Sequence, residues 1–193
     1  NCSKLTSIII PDGVSTIATG TFNNCSRLSS VTIPESVTSI GDEAFWGCTS
    51  LTSISIPKNV ISIGIRAFRD CINLPSIIIP NLVTTIGYGA FANCSKLTSI
   101  IIPDLVTDLG GEAFRDCTGL TSITISKNVT KIKSNTFYGC VNVEKVSIKS
   151  INPPIENGDI PQVNTIKLYI PIGTKDAYQN SEYWKGFYQY IEE

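Results

Sequence analysis

Cysteine is the one residue in this chain whose type and spacing together raise a question of chemistry. Seven of them, Cys2, Cys25, Cys48, Cys71, Cys94, Cys117 and Cys140, stand 23 residues apart, and Cys25 to Cys140 each follow a phenylalanine by three positions. Thiols can hold zinc, form disulfides or act as nucleophiles, and each use demands a particular neighbourhood. Structural zinc wants pairs two to four residues apart, and no such pair occurs. Nucleophilic use wants a general base, and the chain has no histidine. Disulfides between successive copies are weighed by distance: stacked strands lie about 4.8 Å apart, within bridging range. Equivalent side chains in a stack run parallel instead of facing one another, however, and helical turns are expected to space the coils more widely than strands do. An odd number of thiols cannot all pair. The expectation is therefore seven free thiols, with Cys25 to Cys117 at least serving as small buried residues.

Other chemistry is hardly represented. Serines recur at one repeat position, as Ser30, Ser53, Ser76, Ser99 and Ser122, which marks a structural stripe. No G-x-S-x-G, glycine-rich phosphate loop or C-x-x-C is found, and no carboxylates pair suggestively. No catalytic residue, cofactor or metal site is expected, and the chain reads as no enzyme. The segment "ENGDI" at 156–160 reads as an acidic turn more readily than as a weak calcium loop. Asn24, Asn93 and Asn128 open glycan-acceptor triplets, the first two as by-products of the repeat. With 15 basic against 16 acidic residues and no basic run, nucleic acid is not an expected partner. No apolar stretch approaches the roughly 20 residues of a transmembrane helix.

The elements that carry these residues follow from the 23-residue period. Six full copies run from Leu5 without insertion, after the end of an earlier copy and before a partial one. The opening "NCSKL" and the absence of methionine imply further chain upstream, with any targeting signal. In residues 28–50, Val31 and Ile33 alternate as in a strand, and Pro34 ends it. Val37 and Ile40 form a second inward piece. Gly41, Gly64, Gly87 and Gly110 then stand where a tight turn is expected to need glycine. Ala44, Phe45 and Cys48 have the spacing of one buried helical turn. No copy can bury its apolar side alone, so neighbours must stack.

The frame C-x-x-L-x-x-I-x-I-P-x-x-V-x-x-I-G-x-x-A-F-x-x-C resembles the 23-residue leucine-rich repeat of the BspA-like, or treponemal-type, bacterial surface proteins. The resemblance covers residues 1–149 and implies a right-handed β/α solenoid, a superhelix of short strands and short helical turns. It also implies an extracellular or cell-surface setting and roles in adhesion or protein binding. The place of the asparagine of other leucine-rich repeats holds Gly13, Ser36, Asn59, Leu82, Leu105 and Asn128, so the asparagine is missing from four of the six copies.

Residues 150–193 depart from the pattern and read as a C-terminal capping segment. "TIKLYIP" alternates as one more strand, and Thr174 is an N-cap candidate for a helix over "KDAYQNSEYW". The candidate partner-binding residues are the outward strand positions Ile9, Thr32, Ser55, Ile78, Ile101 and Thr124, with Ile78 and Ile101 expected to touch. On the helical side the candidates are Trp46 and Arg69, of types enriched at interface hot spots, although packing across a neighbouring coil is a competing reading of Trp46. The expected partner is a host matrix or bacterial surface protein. A structural spacer displaying another domain is the first alternative, and a glycan-binding module the second. The latter wants clustered aromatics, and Trp46 and Tyr88 are expected to lie too far apart to supply them.

Overall fold

A computed structural model describes residues 2–156, 160 and 164–193. The chain is a parallel-sheet β-solenoid of about eight coils. Most coils contribute to a front sheet from their first apolar stretch and to a back sheet from their second. In front, Ser7–Ile9, Ser30–Thr32 and Ser53–Ile54 pair in 23-residue register, and Ser99–Ile101, Ser122–Ile125, Lys145–Ile148, Lys167–Ile170 and Gln189–Glu192 form a second group. At the back, Thr16–Ile17, Ser39–Ile40, Ser62–Ile63, Thr85–Ile86 and Asp108–Leu109 pair without interruption. The strand expected in "TIKLYIP" is present, paired with Lys145–Ile148.

The core is a set of ladders, one rung per coil. Leu28, Leu51, Leu74, Leu97 and Leu120 are fully buried, as are Val60, Val83 and Val106. Phe22, Phe45, Phe68, Phe91, Phe114 and Phe137 stack face to face with centroids 5.1–5.6 Å apart. The phenylalanine side is therefore spaced little more widely than the strands, contrary to the wider step expected there.

That spacing has a backbone cause, and it corrects the β/α expectation: the Ala-Phe-Cys segment is no helix. Two left-handed residues per coil bracket the phenylalanine, one in the row Gly20, Glu43, Arg66, Gly89, Glu112 and Asn135, the other in the row Asn24, Gly47, Asp70, Asn93, Asp116 and Gly139. A left-handed residue every fourth position breaks the i to i−4 ladder. Alternate N–H groups instead reach the next coil, as Phe45 to the Ala67 carbonyl at 2.7 Å and Phe68 to Ala90 at 2.7 Å. Those between close three-residue turns, as Trp46 to Glu43 at 3.1 Å and Cys48 to Phe45 at 3.1 Å. The coil is bonded to its neighbour on this side almost as a sheet is.

The repeat glycines also need a different account. Gly41, Gly64, Gly87 and Gly110 do not have positive φ; they mark close approach between coils. A Cβ on Gly87 would lie 2.5 Å from the Gly64 carbonyl carbon and 2.5 Å from the Ile65 nitrogen.

After Lys145 the step shortens to 22 residues. The expected helix begins after Thr174 but covers only Lys175–Asn180. The Thr174 hydroxyl does not cap it and donates backward to the Pro171 carbonyl at 2.6 Å. Glu192 accepts the Lys175 and Gly173 N–H groups instead, at 3.1 and 2.9 Å. Tyr178 and Trp184 are fully buried, and Trp184 Nε1 donates to the Pro154 carbonyl at 2.6 Å. Among the described residues no helix is long and apolar enough to cross a membrane.

Candidate functional site

The thiols come first, because their spacing posed the first question. All seven are free; Cys2 is exposed and the rest are buried. Five of them do more than fill space. Cys48 Sγ donates to the Phe22 carbonyl at 3.2 Å, Cys71 to Phe45 at 3.3 Å, Cys94 to Phe68 at 3.3 Å, Cys117 to Phe91 at 3.1 Å and Cys140 to Phe114 at 3.1 Å. These bonds occupy a phenylalanine carbonyl in the turn of the preceding coil. A thiol meets the need because it is small, apolar and still a weak donor. Burial pushes Cys48 and Cys140 up to about 12, and Cys71, Cys94 and Cys117 well above the usual thiol range. Such thiols are poor nucleophiles, since only the thiolate reacts. Among the described residues no group of three acidic, thiol or imidazole side chains is placed to hold a metal; positions 157–159 of "ENGDI" lie outside the described residues.

The front face collects six of the eight candidate residues at one repeat position. Ile9 pairs with Thr32 and Ile101 with Thr124 across neighbouring coils. Ile9, Ile78 and Ile101 are 77%, 84% and 66% exposed. Thr32 and Ser55 are exposed and Thr124 is half-buried, whereas Ser147, next along the row, is buried beside its register partner Tyr169. The Lys145 ammonium lies 3.8 Å from the Tyr169 ring centre, so the C-terminal end of the row is covered by the chain itself.

Ile78 stands at a break in the front sheet. Residues 76–79 pair with neither neighbouring coil, and the sheet resumes at Ser99. The reason is Pro75. At its repeat position Ser29, Thr52, Thr98 and Thr121 each donate an N–H to the preceding coil, at 2.8–3.2 Å. Proline has no N–H to give. The in-out alternation survives without the ladder: Ile77 and Ile79 are buried on either side of exposed Ile78. A cleft of about 400 Å³ opens here, lined by Ile56, Asn59, Ile78, Pro80 and Leu82 among others.

The remaining candidates lie on the turn side. Trp46 is half-buried and its Nε1 donates to Asp70 of the next coil at 2.8 Å, while the Arg69 guanidinium lies 6.0 Å from its ring centre. Packing across a neighbouring coil thus accounts for part of what Trp46 does. Arg66 was not singled out by sequence, yet it links the ribbon. Its guanidinium is 5.8 Å from the Trp46 ring and 5.9 Å from Tyr88, and 3.6 Å from Glu43. Trp46 and Tyr88, two coils apart, thus each face the Arg66 guanidinium of the coil between them. The signal was present in the sequence as Arg66 in the copy between them. The acceptor asparagines have occupied amides: Asn93 donates to Asp70 at 2.6 Å and Asn128 to the Asp104 carbonyl at 2.7 Å.

Comparison with known proteins agrees with this geometry. A family model described as the BspA type leucine rich repeat region matches in six copies over residues 1–103 and 39–158. No curated protein sequence matches the chain. Among solved structures, the leucine-rich repeat protein of T. pallidum is similar at TM-score 0.73 and 26% identity, over 97% of this chain and 86% of that one. The pneumococcal vaccine antigen PcpA shares the fold at TM-score 0.64 and 17% identity, over 98% and 68% of the two chains. A leucine-rich cell surface protein of Faecalibacterium prausnitzii gives TM-score 0.52 at 27% identity, over 99% and 60%. The matched copies take in most of the chain and are the same 23-residue units that build its ladders; the chain belongs to the BspA-type leucine-rich repeat family.

Proposed function

We propose that this chain is a non-enzymatic protein-binding module that works at the cell surface and holds its partner on the front face. The observation that carries the reading is the exposure of Ile9, Ile78 and Ile101 at one repeat position, two of them in adjacent coils. Aliphatic side chains grouped this way mark interaction surfaces more often than single exposed ones do. The broken ladder beside Ile78 adds a cleft with an apolar wall. The surface setting is supported by the family and by the cell-surface relative of Faecalibacterium prausnitzii. Residues 150–193 act as the cap of the array, a role supported by the pairing of Lys167–Ile170 with Lys145–Ile148 and by the burial of Tyr178 and Trp184. The partner is a host matrix protein or a surface protein of another bacterium.

The test is a double variant, Ile78→Thr with Ile101→Thr, which copies the residues already present at positions 32 and 124. Covering one exposed aliphatic side chain is worth about 1.5–3 kcal/mol, so affinity should fall at least tenfold while Tm is unchanged. Binding is read on immobilised matrix proteins and whole bacterial cells. Equal binding by parent and variant overturns the front-face reading, and no binding by the parent leaves the role to a spacer.

A further inference from the structure

On the turn side, the residue after each repeat glycine forms a row: Asp42, Ile65, Tyr88, Gly111, then Ser134 after Lys133. Gly111 interrupts it. A Cβ at Gly111 would lie 3.7 Å from Cδ2 and Cε2 of Tyr88, and 3.1 Å from the Ser134 carbonyl oxygen. The missing side chain thus leaves a notch beside the ring. The notch is a cleft of about 460 Å³, within the range of small-molecule sites, walled by Tyr88, Glu112, Lys131, Lys133 and Asn135.

The aromatic wall is held in place. The Arg66 guanidinium packs 5.9 Å from the Tyr88 ring centre, and the neighbouring Glu112 carboxylate raises the pKa of the Tyr88 hydroxyl. The ring is nevertheless 40% exposed. An amphipathic ring packed by a guanidinium and still partly open to solvent is suited to a ligand that is itself apolar on one face and hydroxylated at its edge. The charges add a preference. Glu112 pairs with Arg115 at 3.2 Å, an arginine shared with Asp116 at 3.2 Å, and Lys133 pairs with Asp108 at 2.5 Å. Lys131 is exposed on the same wall and makes no ion pair among the described residues. Among the described residues of this wall, Lys131 is thus the cation left to meet a ligand's negative charge.

We propose that this notch binds the ring of an acidic pyranose, a uronate unit of a polysaccharide. Its C–H face lies on Tyr88, its hydroxyls meet Glu112, and its carboxylate meets Lys131. The site is on the turn side and does not depend on the front-face reading.

The test uses the folded chain and three probes in amide NMR titrations. Methyl glucuronide carries ring and charge, methyl glucoside the ring alone, and acetate the charge alone. Saturable shifts at Gly111, Glu112 and Lys131 are expected with the glucuronide at millimolar concentration. At least fivefold weaker binding is expected for the glucoside, and none that saturates for acetate. Lys131→Gln should bring the glucuronide down to the level of the glucoside. Gly111→Ile, which copies position 65, should fill the notch and abolish binding, and Tyr88→Ala gives the same readout at an exposed position should the isoleucine disturb folding. The front-face double variant should bind the glucuronide as the parent does. The proposal is overturned by absence of saturable binding, by equal binding of glucoside and glucuronide, or by binding that Lys131→Gln and Tyr88→Ala leave intact.

Discussion

Raising the pH from 7 to 10 under reducing conditions should weaken folding through the thiol ladder. Cys71, Cys94 and Cys117 are fully buried, and desolvation of the thiolate holds their pKa values well above the ordinary 9.0. In the unfolded chain the same thiols titrate near their ordinary value. Above pH 9 the unfolded state therefore loses protons that the folded state keeps, and stability falls as pH rises. The contribution is fully present below pH 9. At pH 10, one unit above the unfolded value, each enclosed thiol has lost about 1.4 kcal/mol, and the three together about 4 kcal/mol. That is a large part of a typical domain's 5–15 kcal/mol. Cys48 and Cys140, pushed to about 12, act in the same direction. The assay is urea unfolding followed by circular dichroism at pH 7, 8, 9 and 10. Cys94→Ala should remove one thiol's share, about 1.4 kcal/mol of the stability lost between pH 7 and 10. A flat profile to pH 10, or an unchanged slope in Cys94→Ala, would refute the reasoning.

Three further outcomes are expected. Phe91→Ala removes a ring stacked on both Phe68 and Phe114 at 5.3 Å, and calorimetry should show a loss of about 3–5 kcal/mol, with hydrogen exchange rising in the adjoining coils. Gly87→Ala places a methyl group 2.5 Å from the Gly64 carbonyl carbon, with only backbone to yield, so a loss of about 3 kcal/mol should appear in the same melt. Pro75→Thr restores the N–H that its repeat position otherwise carries. Amide protection should appear over residues 76–79 with a gain of about 1 kcal/mol, and unchanged exchange there would mean that Pro75 is not the cause of the break.

The period alone determined which residues share a rung, because in a chain without insertions a fixed step places equal residues over one another. Leu51, Phe68 and Cys94 were legible as buried on that ground, and Ile78 as outward from the alternation around it. The proline at 75 was equally visible, but its effect on the sheet depends on which neighbour the missing N–H would have met. The turn containing phenylalanine reads as helix in the sequence because its apolar spacing of one and four residues is the same in both. Tertiary structure decided against helix through backbone partners: stacking at about 5 Å offers each alternate N–H a carbonyl in the next coil, at the expense of left-handed residues at Glu43 and Gly47. A trace of this was present in the row Asn24, Gly47, Asp70, Asn93, Asp116 and Gly139, all of residue types that tolerate positive φ. The role of Gly87 and the notch at Gly111 were not legible, since each depends on what the adjacent coil presents across a gap that spacing along the chain does not measure.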